Sequence, residues 1–470
     1  MMTKPNLLLP AKGPADRNRY RATARMLSKL HSPWLYETKL TTIVKTRQAD
    51  EKTVTACGKN AYGRRTFNST VAHMSSSSTR FLRSIIFFLW VCIRVDAASA
   101  EEGERPANPS PRVATVKRLS DAVSPARWHE IESSVDKGLA FLASQQADDG
   151  SFPTIRSGQP GVTSLCIMAF LSRGHQPGGG KYGERLNRAI DFTIRCQRSD
   201  GLFSQEAPGL EWQRYEASHT AIYNHAIAGV MLGEVYGEVT GPRAGQVKQS
   251  IEKGLQFTRE FQLRPRAPAD KGGWRYIRVQ GNQPQADLSI TSWQLMYMRS
   301  AKNAQFNVPQ GYVEEAMAYV HRCFDPQTSM FHYALSGGGG FGASRGMAGA
   351  GILSLSLAGQ HQTPMAKAAG DWLLAHPYRQ FGEVIGSYDK FFYSTYYCSQ
   401  AMAQLGGHYW EKFFPPMAEV LLKAQAADGS WPPEQAHETS GVSVFGNAMS
   451  SALAVLSLTP PYQLLPVYQR

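Results

Sequence analysis

"KGLAFLASQQADDGSF", Lys137 to Phe152, is the stretch that decides the fold. Leu139 and Leu142 fall at helical spacing on one face of a segment that runs to Gln146. Asp149-Gly150 then ends it, because glycine accepts the left-handed conformation that a helix C-terminus takes. Phe152 follows two residues on, placed to fold back beneath the helix just ended, with the Gln146 amide tying nearby backbone groups. The pattern returns as "AIDFTIRCQRSDGLF" from Ala189 and "MAEVLLKAQAADGSW" from Met417. Shorter copies lie between them: "GLQFTREFQ" from Gly254, "AMAYVHRCF" from Ala316 and "AGDWLLAHP" from Ala369. The intervals are 51, 65, 62, 53 and 48 residues. Self-similarity at this period marks an array of supersecondary units, none able to bury its apolar face alone.

Each copy is followed by a second apolar segment: Val162–Leu171, Tyr223–Val235, Ile290–Met298, Met347–Leu357, Tyr396–Leu405 and Ala448–Leu458. These segments are rich in small residues and apolar on all sides, as in "GMAGAGILSLSLAG" from Gly346. A helix with no polar face is buried. The first helix of each pair is amphipathic and carries Arg, Lys or Asp. Six buried inner helices alternating with six amphipathic outer ones predict an all-α protein, a single (α/α)6 toroid over residues 128–470. An open solenoid is the alternative, but it would leave its apolar layer exposed or need capping repeats. No strand is expected.

The 470 residues are 42% hydrophobic and carry a formal net charge of +13. Residues 1–100 hold 17 Lys and Arg against 5 Asp and Glu, which leaves +1 for the rest. A near-neutral folded part implies no nucleic-acid partner. From Met74 the chain reads "MSSSSTRFLRSIIFFLWVCIRVDAASA". Arg80 and Arg83 precede a nine-residue apolar run, Ile85 to Ile93, and Ala98-Ser99-Ala100 fits a small-x-small cleavage site. This predicts a signal peptide over 74–100 ending near Ala100, and export to a periplasmic or extracellular location. Residues 1–73 read as an upstream extension, disordered or a misassigned start, and residues 101–127 as a linker. Four cysteines follow, Cys166, Cys196, Cys323 and Cys398; disulfide pairing and buried free thiols are both open readings.

The repeat resembles that of squalene–hopene cyclases, within the terpenoid cyclase and protein prenyltransferase superfamily. The likeness rests on the basic residue, glycine, aromatic-Leu, Gln and Gly-x-aromatic of "KGLAFLASQQADDGSF", and covers about residues 130–460. Trp431 keeps the usual turn tryptophan, and Phe152 replaces it. The resemblance implies the toroid fold and covers one of the two helical domains of a full squalene cyclase. It also implies where an acid should stand. Those cyclases protonate their substrate with D-x-D-D-T, and "DLSIT", Asp287 to Thr291, falls at the matching helix head. Asp287 and Thr291 match, but Ser289 replaces the proton-donating Asp and Ile290 the third. A hydroxyl cannot protonate an alkene. The prenyltransferase branch binds zinc with Asp, Cys and His; Asp287 matches the first, whereas Ser289 and Ser394 occupy the other two places. One ligand of three does not hold zinc, so neither metal nor cofactor is expected.

Two readings of Asp287 stay open: the N-cap of the following helix, or a functional acid at the central cavity, with Asp389 a second such acid. A toroid places the heads of its inner helices around a central hollow. The aromatic and polar candidates for that hollow are Trp212, Glu216, His219, Tyr223 and His225, then Trp274, Tyr276 and Trp293, then Tyr393 and Tyr396. Glu216-x-x-His219 with His225 is too loose for a metal site and recurs in no other repeat. "SGGGGFG", from Ser336, reads as a lid over the cavity mouth or as a plain connector. Three functions follow: a toroid binding a hydrophobic small molecule or lipid, a terpenoid-acting cyclase or isomerase using Asp287 or Asp389, or a carbohydrate-acting enzyme. The last would need two carboxylates across a sugar, and Glu216 with Asp389 is the pair available.

Overall fold

A computed structural model describes residues 118–336, 344–385, 389–433 and 442–469. The expected signal peptide, the extension before it, most of the linker and most of the glycine-rich segment after Ser336 lie outside the described residues.

Twelve α-helices are described, in six pairs. The outer members are α1 (Pro125–Gln145), α3 (Gly183–Arg195), α5 (Gly241–Gln262), α7 (Gln310–Cys323), α9 (Pro364–Ala375) and α11 (Gly407–Ala424). The inner members are α2 (Gly161–Ser172), α4 (Ala217–Val235), α6 (Leu288–Asn303), α8 (Arg345–Leu357), α10 (Phe391–Leu405) and α12 (Gly446–Leu458). Every inner segment expected from the sequence lies inside one of these. All twelve residues of α2 are buried, as its unbroken apolar pattern requires. Each inner helix packs on the next, and α12 packs back on α2. Each outer helix packs on the inner helix before it, and α1 packs on α12. The ring is therefore closed.

Two features differ from expectation. The fold takes up residues assigned to the linker: Leu119–Ala122 forms a 3-10 turn, Leu119 O accepts from Trp410 Nε1 at 2.7 Å, and α1 starts at Pro125. Pro125 is favoured there because a first-turn residue needs no N–H, and Ser124 caps the helix through Arg127 N. A short antiparallel ladder also joins β1 (Phe324–Asp325) to β2 (Met330–Phe331). It occupies the place where four of the other repeats carry their turn.

The turn is built the same way in four repeats. Gln146 Nε2 donates to Gly150 O at 3.1 Å and, across the junction, to Arg185 O at 2.9 Å. Gln197 does so with Gly201 and Ser250, and Gln262 with Gly272 and Tyr312. Gln425 does so with Gly429 and Ser134, which belongs to α1. The first and last repeats are thus joined by the bond that joins neighbours. The turn aromatic lies between two outer helices and not only beneath its own: Trp431 donates to Leu421 O in α11 and fills the space above Gly138 in α1. Its backbone N–H is caught by the inner helix, at Ser451 Oγ. Phe152, Phe203 and Trp274 are held alike by Thr163 Oγ1, His225 Nδ1 and Thr291 Oγ1.

The four described cysteines are buried free thiols. Burial pushes Cys196, Cys323 and Cys398 up to about 12, so they stay protonated and inert.

Candidate functional site: a depth-graded central cavity

The inner helices point their N-terminal ends into a cavity of about 720 Å³, within the ~300–1,000 Å³ range of small-molecule sites. Its lower wall comes from positions inside the helices. Val162 and Leu165 of α2, Ile227 of α4, Trp293 of α6, and Met449 and Leu453 of α12 line it. Its upper wall comes from the loops that lead into those helices. Trp212, Arg214, Arg275, Gln283 and Lys390 line that part. The lining is thus mainly apolar along the helices, Thr220 and Asn224 apart, and mixed polar and aromatic at the loops. Ile227 lies eight residues beyond His219 on the same helix, about 12 Å at 1.5 Å per residue. The described charged residues of the lining are Arg214, Arg275 and Lys390, all cationic.

A stack of flat groups forms the upper wall. The Arg275 guanidinium lies 4.1 Å from the Tyr276 ring centroid, and the His219 ring lies 4.2 Å from it. Tyr276 and Tyr333 hydroxyls meet at 2.8 Å. Arg275 Nη1 donates to Asp287 Oδ2 and to Tyr333 Oη, both at 2.7 Å. His219 Nδ1 accepts from Tyr215 N at 3.4 Å, which leaves the ring proton on Nε2. Burial and the neighbouring Arg275 and Arg214 push His219 down to about 4, so the ring is neutral. Below this stack, the Ser289 hydroxyl is hydrogen-bonded to Tyr223 Oη at 3.0 Å and to Tyr393 Oη at 2.5 Å. That network joins α4, α6 and α10 across the ring. Burial raises both phenols, so they remain protonated.

Asp287 is the N-cap of α6: its side chain accepts from Ile290 N at 2.8 Å. It is fully buried behind Arg275 and is not part of the lining. Burial pushes its carboxyl up, with Arg275 opposing. Asp389, one residue before the N-cap of α10, is also arginine-paired but does not cap that helix. It is paired with Arg345 Nε at 2.8 Å and accepts from Gly346 N, Ile385 N and the Ser394 hydroxyl. It too is buried and outside the lining.

Of the residues expected at the hollow, the structure brings Trp212, His219, Tyr223, Tyr276, Trp293 and Tyr393 together on its wall. It places four elsewhere. Glu216 is exposed ahead of α4. His225 is buried in the junction, where it accepts from Phe203 N and meets Thr258 Oγ1 at 2.9 Å. Trp274 is the turn aromatic of the third repeat and donates to Thr258 O. Tyr396 stacks on Trp293 at 5.5 Å from behind, with its hydroxyl on Tyr468. Arg275 stands between Trp274 and Tyr276 in the sequence, whereas Lys390, Gln283 and Phe445 carry no sequence signal. Among the described residues, no three His, Cys, Asp or Glu side chains cluster as a metal site requires.

No family model matches the chain, and no curated protein does. Solved structures share its fold. A family 76 glycoside hydrolase from a bovine Bacteroides thetaiotaomicron strain superposes with a TM-score of 0.50 at 9% identity, covering 70% of this chain and 77% of its own. A variant of the type II terpene cyclase MstE from Scytonema, solved with its product merosterolic acid A, gives 0.48 at 16% identity, covering 73% and 100%. A possible member of the GH105 family from Salmonella enterica gives 0.49 at 13% identity, covering 77% and 99%. The family 76 glycoside hydrolase thus shares the fold of this chain, and an identity of 9% speaks for fold alone.

Proposed function

We propose that this protein is an exported toroid that binds a hydrophobic small molecule or lipid in its central cavity, without cyclising it. The grading of the wall with depth carries this reading: an apolar floor deep enough to desolvate a hydrocarbon lies beneath a polar, aromatic mouth. Burying ~25 cal/mol for each Å² of apolar surface favours such a ligand over a sugar. The two acids on which a cyclase reading would lean count against it. Protonating an alkene needs a strongly acidic carboxyl activated by its neighbours. Asp287 and Asp389 are instead each paired with an arginine, hydrogen-bonded to backbone N–H groups and withdrawn from the cavity. Ser289, on the cavity wall, offers a hydroxyl among phenols. A carbohydrate-acting site would need Glu216 opposite Asp389 across the hollow; neither is part of the wall.

The reading predicts that the full chain, purified without detergent, carries a hydrophobic molecule near one per protein in its native mass spectrum and lipid extract. Asp287→Asn should leave that occupancy unchanged if the fold survives. Turnover of squalene or a linear isoprenoid by the wild type, lost in Asp287→Asn, would overturn the proposal.

A further inference from the structure

The hydrogen bonds of the upper wall run in one direction. Asp287, ion-paired with Arg275 at 2.7 Å, can only accept. Tyr333 hydrogen-bonds to that carboxylate and so spends its single proton there. Tyr276 Oη, 2.8 Å from Tyr333 Oη, is then the donor of the bond between them, and its own lone pairs are left for another partner. Tyr276 is part of the lining. Beside it, with 4.2 Å between ring centroids, His219 accepts through Nδ1 from Tyr215 N. Its proton therefore stands on Nε2, where no described residue accepts it. Two more lining residues repeat this balance of one acceptor and one donor. Gln283 Oε1 and Trp212 Nε1 are both buried without a hydrogen-bond partner among the described residues. Polar atoms left so are costly, and they mark a missing partner.

We propose that the cavity's occupant is a hydrophobic molecule with a neutral hydroxyl head, which accepts from His219 Nε2 and donates to Tyr276 Oη, its hydrocarbon lying along Leu165, Ile227 and Leu453. This rests on the reading of the cavity as a hydrophobic binding site. It specifies the head, which that reading leaves open. A hydroxyl both donates and accepts, and so matches a wall that does both. A carboxylate or phosphate only accepts, and would set its oxygens against the lone pairs of Tyr276 and Gln283. An ammonium only donates, and would face the Arg275 guanidinium, 4.1 Å from the Tyr276 ring. A plain hydrocarbon would strip water from these groups and pair with none of them.

The test titrates the full chain, stripped of bound lipid, with decan-1-ol, methyl nonyl ether and decanoate in a calorimeter. The three are of similar length and differ in the head: the ether accepts but has no proton to give, and the carboxylate is charged. The alcohol should bind at least about threefold more tightly than the ether, the worth of one hydrogen bond, and more tightly than decanoate. Tyr276→Phe should remove the alcohol's advantage over the ether, with both still binding. His219→Phe should weaken alcohol and ether by a similar factor, because both offer it an acceptor. The wild-type ranking decides by itself and does not depend on either variant folding. A smaller advantage over the ether would overturn the hydroxyl head while sparing the hydrophobic cavity. Decanoate binding as tightly as the alcohol would replace the neutral head by an anion. An advantage that persists in a folded Tyr276→Phe would overturn the place given to the hydroxyl. Binding of none of the three would overturn the hydrophobic cavity as well.

Discussion

Glu234 is a carboxylate deep in the wall of α4, away from the cavity lining, where it accepts from the Ser300 hydroxyl at 2.6 Å and from Val467 N at 3.2 Å. Burial pushes it up to about 7, against both hydrogen bonds. A folded value above the unfolded one means that the native state holds a proton the unfolded chain has released. The stabilisation is complete below pH ~4.5 and is lost as pH rises through ~7. The span corresponds to about 3 kcal/mol at most. His225, held at about 3 by burial, acts in the opposite sense: the unfolded chain takes up a proton first, so stability falls as pH drops below ~6.5. We expect Glu234→Gln to remove only the first limb. The difference in thermal midpoint between wild type and variant should change by several degrees from pH 4.5 to 8, favouring the variant at the alkaline end; a difference independent of pH would refute the assignment. None of this was visible beforehand, because Glu234, Ser300 and Val467 meet only once the chain is closed. Asp287 shows the opposite case. Its capping role was one of two readings open from "DLSIT", since a cap is local, whereas its pairing with Arg275 depends on an irregular loop.

At the scale of the element, the repeat was legible where its parts are contiguous. Gln and Gly stand four residues apart at Gln146–Gly150, Gln197–Gly201 and Gln425–Gly429. In the third repeat they stand ten apart, Gln262 to Gly272. That insertion hid the turn and made its aromatic, Trp274, look like a cavity residue. Cavity and core positions were hard to separate for a related reason. Val162, Leu165, Met449 and Leu453 lie on helices apolar all round, and such a pattern does not say which side meets a hollow. Backbone conformation reveals the equivalence instead. Gly150, Gly201, Gly272 and Gly429 have φ of 93, 91, 89 and 88°. An added Cβ would come within 2.0–2.6 Å of a carbonyl oxygen in the next outer helix in each case. Gly272→Ala should therefore cost about 3 kcal/mol, from the left-handed backbone and the clash with Glu315 O together. Urea denaturation measures it; a loss below 1 kcal/mol would show that the turn relaxes without harm.

At the scale of the whole molecule, the arithmetic of six pairs predicted a ring, but periodicity alone could not distinguish a ring from an open spiral. That choice is made by residues far apart in sequence. Ser134 and Gln425 are 291 positions apart and exchange two bonds: Ser134 Oγ donates to Gln425 Oε1 at 2.8 Å, and Gln425 Nε2 donates to Ser134 O at 2.9 Å. A segment at the other end of the toroid adds to the closure, with Asn303 Nδ2 donating to Pro466 O at 2.8 Å. In an open array a terminal turn contributes less than an internal one, because it has one neighbour instead of two. In a closed ring the two are equivalent. Gln425→Ala and Gln197→Ala each remove an amide that serves two carbonyl groups at a half-buried junction, at about 1–3 kcal/mol. Closure predicts that Gln425→Ala loses at least as much stability as Gln197→Ala, because Gln425 also accepts from Ser134 Oγ, and that both unfold in the single cooperative step of the wild type. If Gln425→Ala is silent while Gln197→Ala is costly, the ends are not joined in solution, and the cavity they enclose loses its wall at α12 and α2.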